Sequence, residues 1–127
     1  MKTRPPYKLS ENRPFVTEKE WTWIKLAALN EDTIADLSGE DLHTRIEGVI
    51  ELGRCRNLTS IARLARLPGV GTLTAQWLVR GGIGDVDTLR ATAAETVCAQ
   101  VNTALGYPVW GDEVVRQIAV LQSKIGA

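Results

Sequence analysis

A stretch of fifteen residues near the middle of the chain, residues 64–78, constrains the fold more than any other segment. It reads Leu-Ala-Arg-Leu-Pro-Gly-Val-Gly-Thr-Leu-Thr-Ala-Gln-Trp-Leu. Glycine adopts positive φ at little steric cost, so Gly69 and Gly71 predict a tight turn between two helical segments. Ala75 is small at the point where the second helix would cross the first. The sequence therefore predicts two helices joined by a tight hairpin.

The order of these residues resembles the helix-hairpin-helix motif, which is best known from proteins that hold nucleic-acid backbones. In that motif the N–H groups that open the second helix face outward, where a phosphate can bind. The resemblance implies a nucleic-acid-binding site made of the turn, two hydroxyls and three arginines: Gly69, Val70, Gly71, Thr72, Thr74, Arg63, Arg66 and Arg80. DNA-binding members of the wider superfamily usually carry lysine or arginine after the second glycine. Here residues 72–74 are Thr-Leu-Thr, and the first basic residue is Arg80.

Helical signals extend along most of the chain, and no segment alternates convincingly as a β-strand, which predicts an all-α fold. A capping box at residues 17–20 opens the first helix, whose expected buried residues are Trp21, Ile24, Ala28 and Leu29. A short turn around Ile34 and Leu37 precedes a longer helix, which Ser38 caps and Gly53 closes and which carries Leu42, Ile46, Val49 and Ile50. The later helices are predicted to start at Asn57 or Thr59, at Asp85, at a second capping box formed by residues 92–95, and at about Asp112.

The two halves of the sequence resemble a duplication with a period of about 54 residues. The matched pairs include Pro14 with Pro68, Val16 with Val70, Trp23 with Trp77, and Leu64-Ala65 with Ile118-Ala119. The first copy keeps the proline and valine of the turn but lacks both glycines, so its hairpin is degenerate. Trp23 and Trp77 lie off the crossing face, and two outcomes are open. Either they pack the units together, or one is exposed and favours a protein partner or a stacked base.

A tandem pair of this kind resembles a bacterial domain-of-unknown-function family built from two helix-hairpin-helix units. The match runs over roughly residues 15–125, and its anchors are residues 67–71, Ala75, Leu78, residues 82–83, Leu89 and residues 110–113. The second half also resembles the C-terminal domain of competence regulators. The resemblance implies tandem pseudo-symmetric units in one compact helical domain, residues 14–127. Its first repeat would span residues 14–67 and its second residues 68–127, after a flexible, basic, proline-containing arm at residues 1–13.

The net charge of zero conceals an uneven distribution along the chain. Residues 17–51 carry nine acidic and three basic side chains, whereas residues 54–90 carry six arginines and two aspartates. Residues 1–16 add four basic side chains and one acidic side chain. A field of this kind orients a partner even when the total is zero. Helical spacing places Arg63 opposite the inward stripe of its helix and Arg66 on the flank of that stripe. Three roles are open for these side chains: exposure to water, pairing with nearby acids, or contact with a nucleic-acid backbone.

The sequence contains no catalytic constellation and no cofactor motif, so we expect no enzyme, no cofactor and no metal site. His43 is the single histidine, and the two cysteines form no Cys-x-x-Cys pair, which predicts reduced thiols in a cytoplasmic protein. Asp85 is better explained as a helix cap than as half of a catalytic carboxylate pair. No apolar run approaches the roughly 20 residues of a membrane helix, so no membrane contact is expected.

Two functions fit this sequence. The first is a small, non-enzymatic, cytoplasmic protein whose hairpin binds DNA backbone without sequence specificity. The second is a protein-interaction or scaffolding module that keeps the fold without a nucleic-acid role. Zero net charge, the degenerate first hairpin and the absence of lysines after the turn favour the second. The expected partner is DNA or another protein, and the oligomeric state stays open. Some relatives of the motif bind a monovalent cation through the hairpin carbonyls, and whether this chain does so also stays open.

Overall fold

The computed structural model describes residues 16–125, and every regular element in that range is a helix. Eight helices follow one another: α1 (Glu18–Leu26), α2 (Glu31–Ile34), α3 (Gly39–Arg45), α4 (Leu52–Ala65), α5 (Gly71–Arg80), α6 (Val86–Ala91), α7 (Ala94–Leu105) and α8 (Asp112–Ile125). The prediction of an all-α fold is confirmed for these residues. The predicted arm at residues 1–13 lies outside the described part of the chain.

The chain forms two compact units, Met1–Gln76 and Trp77–Ala127, and the division falls inside α5. In the first unit α4 packs against α3 and α2, and in the second unit α8 packs against α7 and α6. The largest fully buried side chains of the first unit are Ile24, Ile34, Leu42, Leu58 and Leu64. Those of the second unit are Leu78, Ile83, Leu89 and Val97. Each unit therefore has apolar side chains that are removed from water, the main favourable contribution to folding.

Three helix starts follow the prediction because a side chain caps each of them. The Thr17 hydroxyl accepts a hydrogen bond from the Glu20 amide at 3.1 Å, and the Glu20 carboxylate accepts one from the Thr17 amide at 2.9 Å. Ser38 Oγ and Asp85 Oδ1 each accept from the amide three residues later, at 3.0 and 2.7 Å. These bonds satisfy N–H groups that have no partner inside the helix.

Two predicted helix starts are wrong. Helix α4 begins at Leu52, not at Asn57 or Thr59, and α7 begins after Ala93 without the predicted capping box. The Thr92 hydroxyl instead donates to the Thr88 carbonyl at 2.7 Å, at the end of α6. The residues before α4 and α7 have nearly the same extended backbone, φ −55° and −56°, and neither forms a side-chain cap bond. Backbone geometry, which no single residue type marks, sets these two starts.

The predicted helix from Ser38 to Gly53 is also shorter than expected. Helix α3 ends at Arg45, because Glu47 and Gly48 turn into the left-handed region with φ values of 55° and 74°. Gly53 lies in the first turn of α4 and closes no helix. The prediction that Val49 faces inward is wrong, because Val49 lies in the connection between the two helices and is 46% exposed.

Helix α1 buries part of the predicted set. Ile24 and Leu29 are buried, whereas Trp21 is half-buried beneath the Lys25 ammonium, which lies 5.7 Å from its ring centroid. The prediction that Ala28 is buried is wrong, because Ala28 is exposed and takes φ 60° just after the helix. At the other end of the chain, α8 starts at Asp112, as predicted, and buries Ile118 and Leu121.

Candidate nucleic-acid interface

The turn between α4 and α5 has the geometry that its glycines predict. Gly69 and Gly71 have φ values of 81° and 73°, in the left-handed region that favours glycine. The Val70 amide donates to the Leu67 carbonyl at 3.1 Å and closes the turn. Val70 itself is buried, with 7% of its surface exposed. Val70 is the buried residue of the turn, and the glycines on either side of it supply the left-handed backbone.

The backbone of the turn is open at Gly69. A Cβ placed there would meet no heavy atom within 4 Å. Helix α5 begins two residues later, and the first N–H groups of a helix have no carbonyl partner within it. These groups also carry the positive end of the helix dipole. The turn and the start of α5 therefore combine an accessible glycine with N–H groups suited to an anion.

The side chains that open α5 differ from the predicted set of hydroxyl donors. Thr72 is buried, with 4% of its surface exposed, which does not suit direct contact with an external phosphate. Its carbonyl accepts a hydrogen bond from Gln76 Nε2 at 3.2 Å. Thr74 is half-buried, and Leu73 between them is 58% exposed. An apolar side chain, rather than a hydroxyl, is the most exposed group in the first turn of α5.

Arg63 is tied to the rest of the first unit. Its Nε donates to the Ala35 carbonyl at 2.9 Å, and its Nη2 donates to the Leu37 carbonyl. These carbonyls lie just after α2, so one guanidinium joins α4 to the end of α2. Arg63 is exposed, as its position opposite the buried stripe of α4 predicts. Its donors are nevertheless engaged within the unit.

Arg66 lies at the C-terminal end of α4, immediately before the turn. Its Nη1 lies 3.0 Å from Asp36 Oδ1, and the two side chains are 35% and 71% exposed. Exposed pairs of this kind contribute roughly 0–1 kcal/mol, so a stronger anion can displace the carboxylate. Arg80, the remaining predicted arginine, is exposed at the end of α5 and belongs to the second unit. Of the predicted arginines, Arg66 is the one that lies next to the turn with a weakly held partner.

Two further arginines of α4 are paired in the same unit. Arg56 Nη2 lies 3.0 Å from Glu40 Oε2 at an exposed position. Arg54 Nε donates to Glu20 Oε2 at 2.7 Å, and its Nη2 donates to Glu20 Oε1 at 3.0 Å, a two-point contact. Burial acts to raise the pKa of Glu20, but the hydrogen bonds from Arg54 and Thr17 outweigh it and lower that pKa. The basic charge of α4 is therefore largely matched by the acidic segment before it.

The Glu20–Arg54 pair lines a cavity of about 310 Å³ in the first unit, a feature that the sequence did not predict. Its other lining residues are Thr17, Lys19, Trp23, Val49, Ile50 and Glu51. The local sequence identifies Glu20 as the second half of the capping box, which the structure confirms, but not as an ion-pair partner. The pairing of Glu20 with Arg54 joins residues 34 positions apart, beyond the reach of any local pattern.

Three residues with ionisable side chains, Asp85, Cys55 and Cys98, lie outside the turn. Asp85 caps α6 through the Thr88 amide, which lowers the pKa of its carboxyl group. Cys55 and Cys98 are free and buried, and burial raises the pKa of both thiols. Within residues 16–125 no group of three or more histidine, cysteine, aspartate or glutamate side chains is placed to hold a metal ion.

No protein-family model, curated protein or solved structure matches this chain. Among the described residues no helix combines the length and the apolar character needed to span a bilayer.

Proposed function

We propose that the chain is built from two tandem, pseudo-symmetric helix-hairpin-helix repeats, α1–α4 and α5–α8, and that its intact hairpin binds DNA backbone without sequence specificity. The order of helices supports the first part. In each half a first helix is followed by a short second helix, a third helix and a last helix of 14 residues. In each half the last helix packs against the second and third.

A pair of similar hydrogen bonds, made from positions 59 residues apart, also supports the duplication. Arg63 of α4 donates to two carbonyls just after α2, and Gln122 of α8 donates to the carbonyls of Leu89 and Thr92 at the end of α6. Arg63 Nε and Gln122 Nε2 are both attached to Cδ, and they lie 2.9 and 2.8 Å from their first carbonyl. We name these two contacts the arginine latch and the glutamine latch.

The structural alignment of the two halves shifts along the chain, which explains why the sequence match is imperfect. The end of α1 aligns with the end of α5 at an offset of 54, whereas α4 aligns with α8 at an offset of 60. The offset changes within α7, because α7 has 12 residues whereas α3 has seven. The sequence pairing of Leu64-Ala65 with Ile118-Ala119 at 54 therefore differs from the pairing that the helix bounds give.

The observation that carries the DNA proposal is the open turn at Gly69 followed by the start of α5. Backbone N–H groups at a helix start hold phosphate without reading base identity, so the contact is non-specific. Arg66 is the side chain that would add charge, since its pair with Asp36 is exposed. Arg63 would contribute less, because its donors already hold the Ala35 and Leu37 carbonyls.

The proposed protein is non-enzymatic and needs no cofactor. Asp85 caps a helix and the neighbouring Asp87 pairs with Arg90, so these two carboxylates have structural roles. Two free, buried thiols, Cys55 and Cys98, are in keeping with a reducing compartment, and the cytoplasm is the location we propose.

A protein-interaction module is the second candidate, and a specific observation favours it. Leu73 is 58% exposed in the first turn of α5, where a phosphate-binding hairpin would more usefully carry a basic side chain. The arginines of α4 are also paired with acids or carbonyls of their own unit. In this alternative the turn orients Leu73 for an apolar contact with a partner protein.

Fluorescence anisotropy of a labelled DNA duplex, measured from low to near-physiological salt, tests the DNA proposal. Affinity should fall linearly with salt on logarithmic axes, because phosphate contacts release counterions. Arg66→Gln should weaken binding and reduce the magnitude of the salt slope by about 1.

Arg56→Gln is the matched control, since Arg56 is also on α4 and also lies 3.0 Å from a carboxylate. It should leave affinity and slope unchanged. Absence of binding by the wild-type protein at low salt would overturn the DNA proposal and leave the interaction module in its place. An equal loss in the two variants would show that binding is not centred on the turn.

A further inference from the structure

Two tryptophans pack together in the second unit. The ring centroids of Trp77 and Trp110 are 5.8 Å apart, with an angle of 54° between the ring planes. Trp110 is buried, and the side chain of Asn102 holds its backbone by donating to its carbonyl and accepting from its amide, both at 2.9 Å. The tilted geometry is one that aromatic pairs favour. The segment before α8 thus supplies an indole that covers Trp77.

The corresponding place in the first unit holds a smaller side chain. Trp23 lies three residues before the end of α1, as Trp77 does in α5, and Ile50 lies two residues before α4, as Trp110 does before α8. Ile50 is buried, yet a cavity of about 310 Å³ remains beside it, and Trp23 is 37% exposed. Where the second unit has a pair of rings, the first unit has one ring and a cavity.

The cavity has a mixed lining. Trp23, Val49 and Ile50 are its apolar residues, and the Glu20–Arg54 ion pair is its most buried polar part. Lys19 and Glu51, which are exposed and opposite in charge, also line it. Its volume lies at the lower end of the roughly 300–1,000 Å³ that ligand pockets occupy, enough for one ring and its attachment.

We propose that this cavity binds an aromatic side chain of a partner peptide, with the ring packed against Trp23 as Trp110 packs against Trp77. The lining favours a peptide over a nucleic acid, because its charges cancel and leave no net positive charge to attract a phosphate backbone, while the opposite charges of Lys19 and Glu51 suit peptide groups of both signs. The site lies on α1 and the segment before α4, away in sequence from the turn. It therefore goes beyond the proposed DNA contact, and of the proposed function it rests on the duplication alone.

The test is a two-dimensional amide NMR titration of the full chain with N-acetyl-tryptophan amide. The amide signals of Val49 and Ile50 and the indole signal of Trp23 should shift together, with half-saturation at roughly 1–5 mM, as expected for a single side chain. N-acetyl-leucine amide at the same concentrations should produce at least fivefold smaller shifts. Adenosine is titrated in parallel as a nucleobase.

Two variants and one control locate the binding. Trp23→Ala should abolish the Val49 and Ile50 shifts by removing the ring, and Ile50→Trp should abolish them by filling the cavity as the second unit does. Leu26→Ala is the control, because Leu26 is on the same helix and 71% exposed but does not line the cavity. It should bind the probe as the wild type does.

Trp23→Ala removes a partly exposed side chain, so it keeps the test decisive even if Ile50→Trp proves too large to fold. Unchanged Val49 and Ile50 signals at saturating probe would overturn the proposal, as would equal binding by Trp23→Ala. Shifts with adenosine that match or exceed those with the peptide probe would also overturn it, since the cavity would then accept a nucleobase.

Discussion

The end of α1 in the first unit and the end of α5 in the second use the same hydrogen bonds around different residues. After α1, the Leu29 amide donates to the Ile24 carbonyl at 3.0 Å, and after α5 the Ile83 amide donates to the Leu78 carbonyl at 2.9 Å. All four of these residues are buried. The left-handed residue between them is Ala28 in the first unit and Gly82 in the second, with φ values of 60° and 90°.

The comparison indicates that the buried residues, rather than the left-handed residue, maintain this helix end. Alanine carries a steric cost in the left-handed region that glycine does not. The first unit tolerates that cost because Ile24 and Leu29 are removed from water on either side of the turn. The arginine and glutamine latches also differ in residue type but not in the contact they make. Arg63 is charged and Gln122 is neutral, yet each donates to two carbonyls at the end of a short helix.

The largest expected effects concern one glycine at a close contact in each unit. A Cβ on Gly39 would lie 2.7 Å from the Cα and 2.8 Å from the N of Arg56, and both are backbone atoms. A Cβ on Gly81 would lie 2.8 Å from a Val101 methyl group and 3.0 Å from the Val101 N. Gly39→Ala should therefore lower the free energy of unfolding by about 3 kcal/mol and Gly81→Ala by about 2 kcal/mol.

Chemical denaturation measures both losses, provided the slope of unfolding free energy against denaturant stays constant. A smaller loss for Gly39→Ala than for Gly81→Ala would contradict the contact geometry of α3 against α4.

The latches give an intermediate effect. Arg63→Ala and Gln122→Ala should each lower the free energy of unfolding by about 1.5 kcal/mol, because each leaves two carbonyls without their donor. Arg63→Gln should recover at least half of the loss, since glutamine places a donor at the position of the arginine Nε. Thermal or chemical denaturation of the three variants checks this. If Arg63→Gln were as unstable as Arg63→Ala, the guanidinium charge or its second contact would be the essential part.

The smallest expected effects concern the two helix ends. Ala28→Gly should raise the free energy of unfolding by about 0.5 kcal/mol, because it relieves the left-handed alanine. Gly82→Ala should lower it by about 1 kcal/mol for the converse reason, since a Cβ there would meet no atom within 4 Å and the cost is conformational. Changes of the same sign in the two variants would show that the two helix ends are not equivalent.

Much of the helical pattern was predictable from the sequence because its signals act over a few residues. Thr17, Ser38 and Asp85 each bond an amide three residues away, so their caps can be recognised locally. The glycines of the turn are recognisable for the same reason. The starts of α4 and α7 were not predictable, because the residues before them form no side-chain cap bond.

The features of the candidate site that were missed all depend on distant residues. Arg63 reaches carbonyls 28 and 26 positions earlier, and Arg54 reaches Glu20 34 positions earlier. A helix wheel gives the direction of a long side chain but not where its end group binds. The sequence placed basic residues beside the turn, while their pairing with the acidic segment requires the packing of α4 against α2 and α3.

The most direct test of the proposed role of the turn is a titration of the protein with a short DNA duplex at low salt, followed by the shifts of its amide NMR signals. We expect the largest shifts at the amides of Gly69, Gly71 and Leu73, reversed by added salt, with Arg66 affected and Arg56 unaffected. Shifts concentrated elsewhere, or no shifts at saturating duplex, would contradict the assignment of the turn as a DNA contact.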